Sequence, residues 1–161
     1  MKTVFTAVVL STALFAADAG KPGAHVTSIP VTDLNGKAAQ VATAGKVTAV
    51  VFISAQCPVS GAYNERMEAI YKDYRDKVQF VFINSNATEP DAMVAKHAQD
   101  HGFTFQVWRD PNNVAADMFD AHVTPEVYLI GKDGIIQYHG RIDDAQNEAR
   151  VTVKNMRQSL Q

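Results

Sequence analysis

Two unbroken apolar runs, Val47–Ile53 (VTAVVFI) and Val78–Ile83 (VQFVFI), most constrain what this chain folds into. β-Branched and aromatic residues without polar alternation describe strands covered on both faces. Between the runs, Val59, Tyr63, Met67, Ile70 and Tyr74 recur at steps of four, four, three and four. That spacing predicts one face of an α-helix, with Pro58 in its first turn and an amphipathic run from Ala62 to Tyr74. Upstream, Asn35-Gly36 between short alternating segments predicts a hairpin.

Downstream, Thr88 with Asp91 three residues on predicts a capped helix start, the helix ending at Gly102. Phe103–Trp108 reads as a third strand, and Asp110-Pro111 opens a helix through Val114, Ala115, Met118 and Phe119. Glu126–Ile130 and Ile135–Tyr138 are two strands joined by Lys132-Asp133-Gly134, and a last helix aligns Ala149, Val153, Met156 and Leu160. The order is β-hairpin, β, α, β, α, β, α, β, β, α. It predicts an α/β fold in which an N-terminal β-hairpin precedes a central mixed sheet flanked by helices on both faces.

The start of the chain has the layout of an export leader: Met1-Lys2, an apolar Val4–Phe15, then Ala17-Asp18-Ala19. Its apolar core is about half the length of a membrane span. The expectation is a signal peptide over 1–19, a single domain over 20–161, and a place in the bacterial periplasm or outside the cell. An uncleaved leader that tethers the protein is the alternative. The 15 basic and 17 acidic side chains are mixed along the chain with no basic stripe, which argues against a nucleic-acid partner.

Cys57 is the sole cysteine. No internal disulfide can form, so the thiol is either a reagent or an intermolecular partner, and a monomer and a Cys57-linked dimer are both open. It stands where the first apolar run gives way to the helix. Unpaired N–H groups and the helix dipole favour negative charge there, the condition that makes a thiolate available. The plainer reading is a buried structural cysteine.

Four segments in order, VTDLNGK, VVFISAQCPVS, VTPEVYL and YHGRIDD, resemble the thioredoxin fold in its exported, redoxin-like form. The last three are similar to a CPVS-type subgroup of the alkyl hydroperoxide reductase and thiol-specific antioxidant superfamily. The resemblance spans roughly Ile29 to Leu160. It implies a thiol–disulfide oxidoreductase with Cys57 as nucleophile and Ser60 as hydrogen-bond donor to the thiolate. It also implies Pro58, Thr124 and a cis Pro125 as substrate-binding residues, and no cofactor. Partners would be protein or small-molecule thiols and disulfides. Ser60 stands where thioredoxins carry a second cysteine, so an external reductant must resolve the mixed disulfide. Val51 occupies the place of their buried carboxylate, and Gln56 that of their tryptophan.

Two other functions stand beside this one. A one-cysteine peroxidase would use Ser54, three residues before Cys57 as in peroxiredoxins, with Arg141 or Arg66 polarising the peroxide, although Val50 replaces the expected proline. A non-catalytic binding module would keep the fold alone. His97 and His101, four residues apart, with His122, His139, Met67 and Cys57, raise a site for soft cuprous copper. Histidines in a helix's last turn also favour its dipole, and no metal is expected. Tyr63, Tyr71, Tyr74 and Trp108 read as packing, and Arg141 with Asp143 as a surface ion pair or turn brace.

Overall fold

Residues alternate sides along the strand Val47–Phe52, and each side meets a different apolar layer. Ala49, Val51 and the following Ile53 point one way, Val50 and Phe52 the other, which is why the run carries no polar interruption. The computed structural model describes residues 20–161, so the leader assigned to 1–19 lies outside the described residues. Strands are β1 (Ser28–Thr32), β2 (Ala38–Ala42), β3 (Val47–Phe52), β4 (Val78–Asn84), β5 (Val107–Arg109), β6 (Glu126–Ile130) and β7 (Ile136–Gly140). Helices are α1 (Pro58–Gly61), α2 (Asn64–Tyr74), α3 (Asp91–Asp100), α4 (Val114–Phe119) and α5 (Asn155–Ser159).

The sheet has seven strands in the order β2-β1-β5-β4-β3-β6-β7. β3, β4 and β5 run parallel, while β1 and β6 pair antiparallel with their neighbours. This is the mixed sheet expected, with β3 between β4 and β6. On one face Tyr63, Met67 and Ile70 pack with Val51, Phe82, Val94 and Met156. On the other, Ala115 and Phe119 of α4 pack with Val50, Val81, Tyr128 and Ile29. Helices therefore cover both faces. Among the described residues no helix is long and apolar enough to cross a membrane.

Four local expectations are corrected. The first helix is interrupted at Ala62-Tyr63, leaving α1 a four-residue turn ahead of α2. Thr88 does not cap α3. Its hydroxyl donates to Asn86 Oδ1 at 2.8 Å, and Pro90 occupies the capping position. The third strand shrinks to β5 because Phe103 and Phe105 stack on each other and Phe105 stacks on Phe82, so the segment packs by its rings instead of by ladder bonds. The last helix shrinks to α5, preceded by a 3₁₀ turn at Glu148–Arg150. Asp144 pins the chain between them, accepting from the N–H and hydroxyl of Thr152 and donating its own N–H to the Val153 carbonyl. Met156 alone of the predicted stripe is deeply buried.

Candidate functional site

β3 delivers the chain to the site. After Ile53 N–H donates to the Ile83 carbonyl at 2.8 Å, residues 54–57 turn out of the sheet and Cys57 becomes the cap residue of α1. Pro58 follows at the first helical position, where a missing N–H costs nothing. Cys57 is half-buried, with its thiol 3.6 Å from the Thr124 carbonyl. Burial pushes the thiol pKa up. The Thr124 side chain and the backbone N–H groups of Ser60 and Val59 outweigh that and leave it below its ordinary value, against the opposing charge of Glu89.

The Thr124–Pro125 peptide is cis. Its loop is held by Glu126, whose Oε2 accepts from the N–H groups of His122 and Val123 at 2.8 and 3.1 Å. Glu126 Oε1 meets His139 Nε2 at 2.6 Å, tying the loop to β7. A cavity of about 340 Å³ opens beside the sulfur, lined by Cys57, Ser54, Thr124, Asn86, Asn113 and His122 among others. Val59 and Val123 are exposed nearby in sequence, at 43% and 62%.

Ser54 and Ser60 are joined to each other and to the turn that carries Cys57. The Ser54 hydroxyl donates to Glu89 Oε1 at 2.5 Å and accepts the Cys57 N–H at 3.1 Å. A hydroxyl has one proton, and here it faces inward. Ser60 is wholly buried, and its hydroxyl accepts the Ser54 N–H at 3.2 Å. The Ser60 group that acts to lower the thiol pKa is its backbone N–H.

Neither arginine raised for peroxide activation lines the cavity beside Cys57. Arg141 is exposed and donates to Asn155 Oδ1 at 3.2 Å. It does not pair with Asp143. That carboxylate is buried and taken by Arg66, which also donates to the carbonyls of Ala62, Ala145 and Gln146 and lies 3.8 Å over the Tyr63 ring.

The histidines are dispersed. His97 Nε2 meets Asn64 Nδ2 at 3.1 Å, and its ring lies 4.5 Å from that of His101. His122 meets Asp120, and His139 meets Glu126. Among the described residues no group of three or more His, Cys, Asp or Glu is placed to hold a metal ion.

Two residues of the site escaped the sequence reading. Glu126 is one. The other is Glu89, wholly buried under the turn that presents Cys57. Its only sequence signal is an acid following the polar stretch Asn84-Ser85-Asn86, which reads as an ordinary helix-start charge.

A mixed sheet covered on both faces, with a cysteine at the strand-to-helix turn and a cis proline beside it, is a thioredoxin-like fold. Solved structures with this fold include a hypothetical protein from Sinorhizobium meliloti 1021, 26% identical with a TM-score of 0.77, over 87% of this chain and 82% of that one. An uncharacterized conserved protein from Geobacillus kaustophilus is 24% identical with a TM-score of 0.73, over 83% and 76%. The thioredoxin domain of a thiol-disulfide oxidoreductase from Bacteroides vulgatus is 17% identical with a TM-score of 0.63, over 74% and 88%. Residues 22–139 match the AhpC/TSA family, and the chain belongs to that family. None of the curated proteins matches it.

Proposed function

We propose that this AhpC/TSA protein is an exported thiol–disulfide oxidoreductase that works through Cys57 alone. The observation that carries the reading is the sulfur's surroundings: the Thr124 side chain and the N–H groups of Val59 and Ser60 lower its pKa beside an open cavity. The thiolate attacks one sulfur of a partner disulfide. A new S–S bond forms to Cys57, the partner's S–S bond breaks, and the departing thiolate takes a proton from water. A second, external thiolate then attacks the partner sulfur of the mixed disulfide and releases Cys57 as thiolate. The partner backbone would be received by Thr124, whose carbonyl lies 3.6 Å from the sulfur, and by the cis Pro125 that follows it, with Pro58 adjoining the thiol at the start of α1. Export rests on the layout of Met1–Ala19.

Peroxide reduction ranks below exchange because the Ser54 proton is committed to Glu89 and cannot be donated to a peroxide oxygen. The test is to mix the protein with an aromatic disulfide and, separately, with excess hydrogen peroxide. The expected result is one aromatic thiolate released per chain, a mixed disulfide at Cys57, and slow sulfenic acid formation. Rapid sulfenic acid with no mixed disulfide would make the protein a peroxidase. No reaction in either arm, with a partner retained by Cys57→Ala, would make it a binding module.

A further inference from the structure

The carboxylate of Glu89 accepts five hydrogen bonds. Its Oε1 accepts from the Ser54 hydroxyl at 2.5 Å, the Gln56 N–H at 3.0 Å and Asn86 Nδ2 at 3.0 Å. Its Oε2 accepts from the Ala55 N–H at 2.9 Å and Asn84 Nδ2 at 2.6 Å. Three of these five donors belong to residues 54–56, the three positions immediately before Cys57. The Ser54 oxygen passes the hold onward by accepting the Cys57 N–H at 3.1 Å.

The carboxylate is anchored in turn. Arg109, itself buried, donates Nη2 to the Glu89 carbonyl at 2.6 Å, Nη1 to the Asn84 carbonyl at 3.0 Å and Nε to Asp91 at 2.8 Å. The site turn is thereby tied to the end of β4, the start of α3 and the end of β5.

We propose that Glu89 is the positioning residue of the Cys57 site, holding the strand-to-helix turn through Ser54 so that the N–H groups of Val59 and Ser60 face the sulfur. An electrostatic role does not explain it, because its negative charge works against a neighbouring thiolate. Its donor shell does explain it. A buried carboxylate is tolerated only when fully hydrogen-bonded, and a protonated acid or an amide here would turn a donor toward donors. Burial pushes its pKa up, but the bonds from Ser54, Asn84, Ala55 and Gln56 outweigh that and keep it ionised. The inference concerns ionisation of the thiol and stands apart from which reaction Cys57 performs.

The test is the rate of Cys57 alkylation by iodoacetamide against pH in the wild-type chain, Glu89→Gln and Ser54→Ala. Each is read only where its circular dichroism spectrum and melting transition show a folded protein. The midpoint should move upward in both variants, with alkylation by Glu89→Gln about tenfold slower at neutral pH. The sign separates the roles. Removing a charge alone favours the thiolate and lowers the midpoint, so a midpoint that falls or stays put in folded Glu89→Gln overturns the proposal. Should Glu89→Gln not fold, Ser54→Ala decides. It keeps the carboxylate and its charge but cuts the link to the Cys57 N–H, and an unchanged midpoint there overturns the proposal equally.

Discussion

Arg66 and Asp143, 77 positions apart in sequence, meet as a buried ion pair with Nη1 and Oδ2 2.7 Å apart. The same guanidinium donates to three backbone carbonyls, at Ala62, Ala145 and Gln146, so it fastens the segment after β7 onto α2. Removing one member of such a pair leaves a buried charge and several carbonyls without partners. Arg66→Ala should therefore cost about 3–5 kcal/mol of stability, measured by urea denaturation. The exposed Lys96–Asp100 pair on α3 is the control: Lys96→Ala should change stability by about 0.5 kcal/mol or less. Equal losses in the two variants would mean that the buried network is not an anchor.

Stability should fall in two stages on acidification. Burial and then the charge of His101 push His97 below its ordinary value of 6.5. The unfolded chain then takes up that proton first, and stability declines as pH drops from about 6.5. Glu68, Glu89 and Glu126 all lie below their ordinary value of 4.5, because hydrogen bonds outweigh burial in each. Their contribution is complete above about pH 4.5 and is lost as pH falls further through their folded values. Denaturant midpoints measured from pH 8 to pH 3 check this, and His97→Gln should remove the upper stage while leaving the lower one. A profile flat between pH 7 and pH 5 in the wild-type chain would refute the first stage.

What the sequence made legible follows the range of the interactions. β3 and β4 were readable because burial on both faces writes itself into every consecutive residue. The hairpin was readable because Asn35-Gly36 is a local turn signal, and Gly36 indeed adopts φ of 80°. Phe103–Trp108 was misread because aromatic residues favour strands, while here Phe103 and Phe105 are claimed by ring stacking that reaches Phe82. The last helix had the right period, but a residue outside the pattern, Asp144, holds Thr152 by its carboxylate and Val153 by its backbone N–H, off the helix. Within the site, Cys57 and Thr124-Pro125 were found from local motifs. Glu89 was not, because its partners at 54–56 lie more than thirty positions upstream and an acid at a helix start has a sufficient local explanation.

The Thr124 side chain is the strongest group acting to lower the Cys57 pKa. Thr124→Val keeps the shape and removes the hydroxyl, so the midpoint of alkylation against pH should rise toward that of an ordinary cysteine. Val123→Ala, at the exposed neighbouring position, should leave the midpoint where it is. If Thr124→Val alkylates with the wild-type profile, the backbone N–H groups alone set the thiol.

Restoring a second sulfur tests whether the site is poised for exchange. Ser60 lies three positions after Cys57 in the first turn of α1, wholly buried, with its hydroxyl accepting the Ser54 N–H. Ser60→Cys exchanges that oxygen for a weaker acceptor and should cost about 0.5–1.5 kcal/mol in the reduced form. In return the chain acquires a thiol one helical turn from the nucleophile, able to attack a mixed disulfide at Cys57 from within. The oxidised variant should carry an internal disulfide, seen as the loss of two hydrogens by intact-mass analysis. It should also reduce insulin with dithiothreitol as electron source, which the wild-type chain should do poorly. A variant that stays folded yet yields only disulfide-linked dimers, with no gain in insulin reduction, would show that Cys57 is not set for exchange with a sulfur presented from the helix.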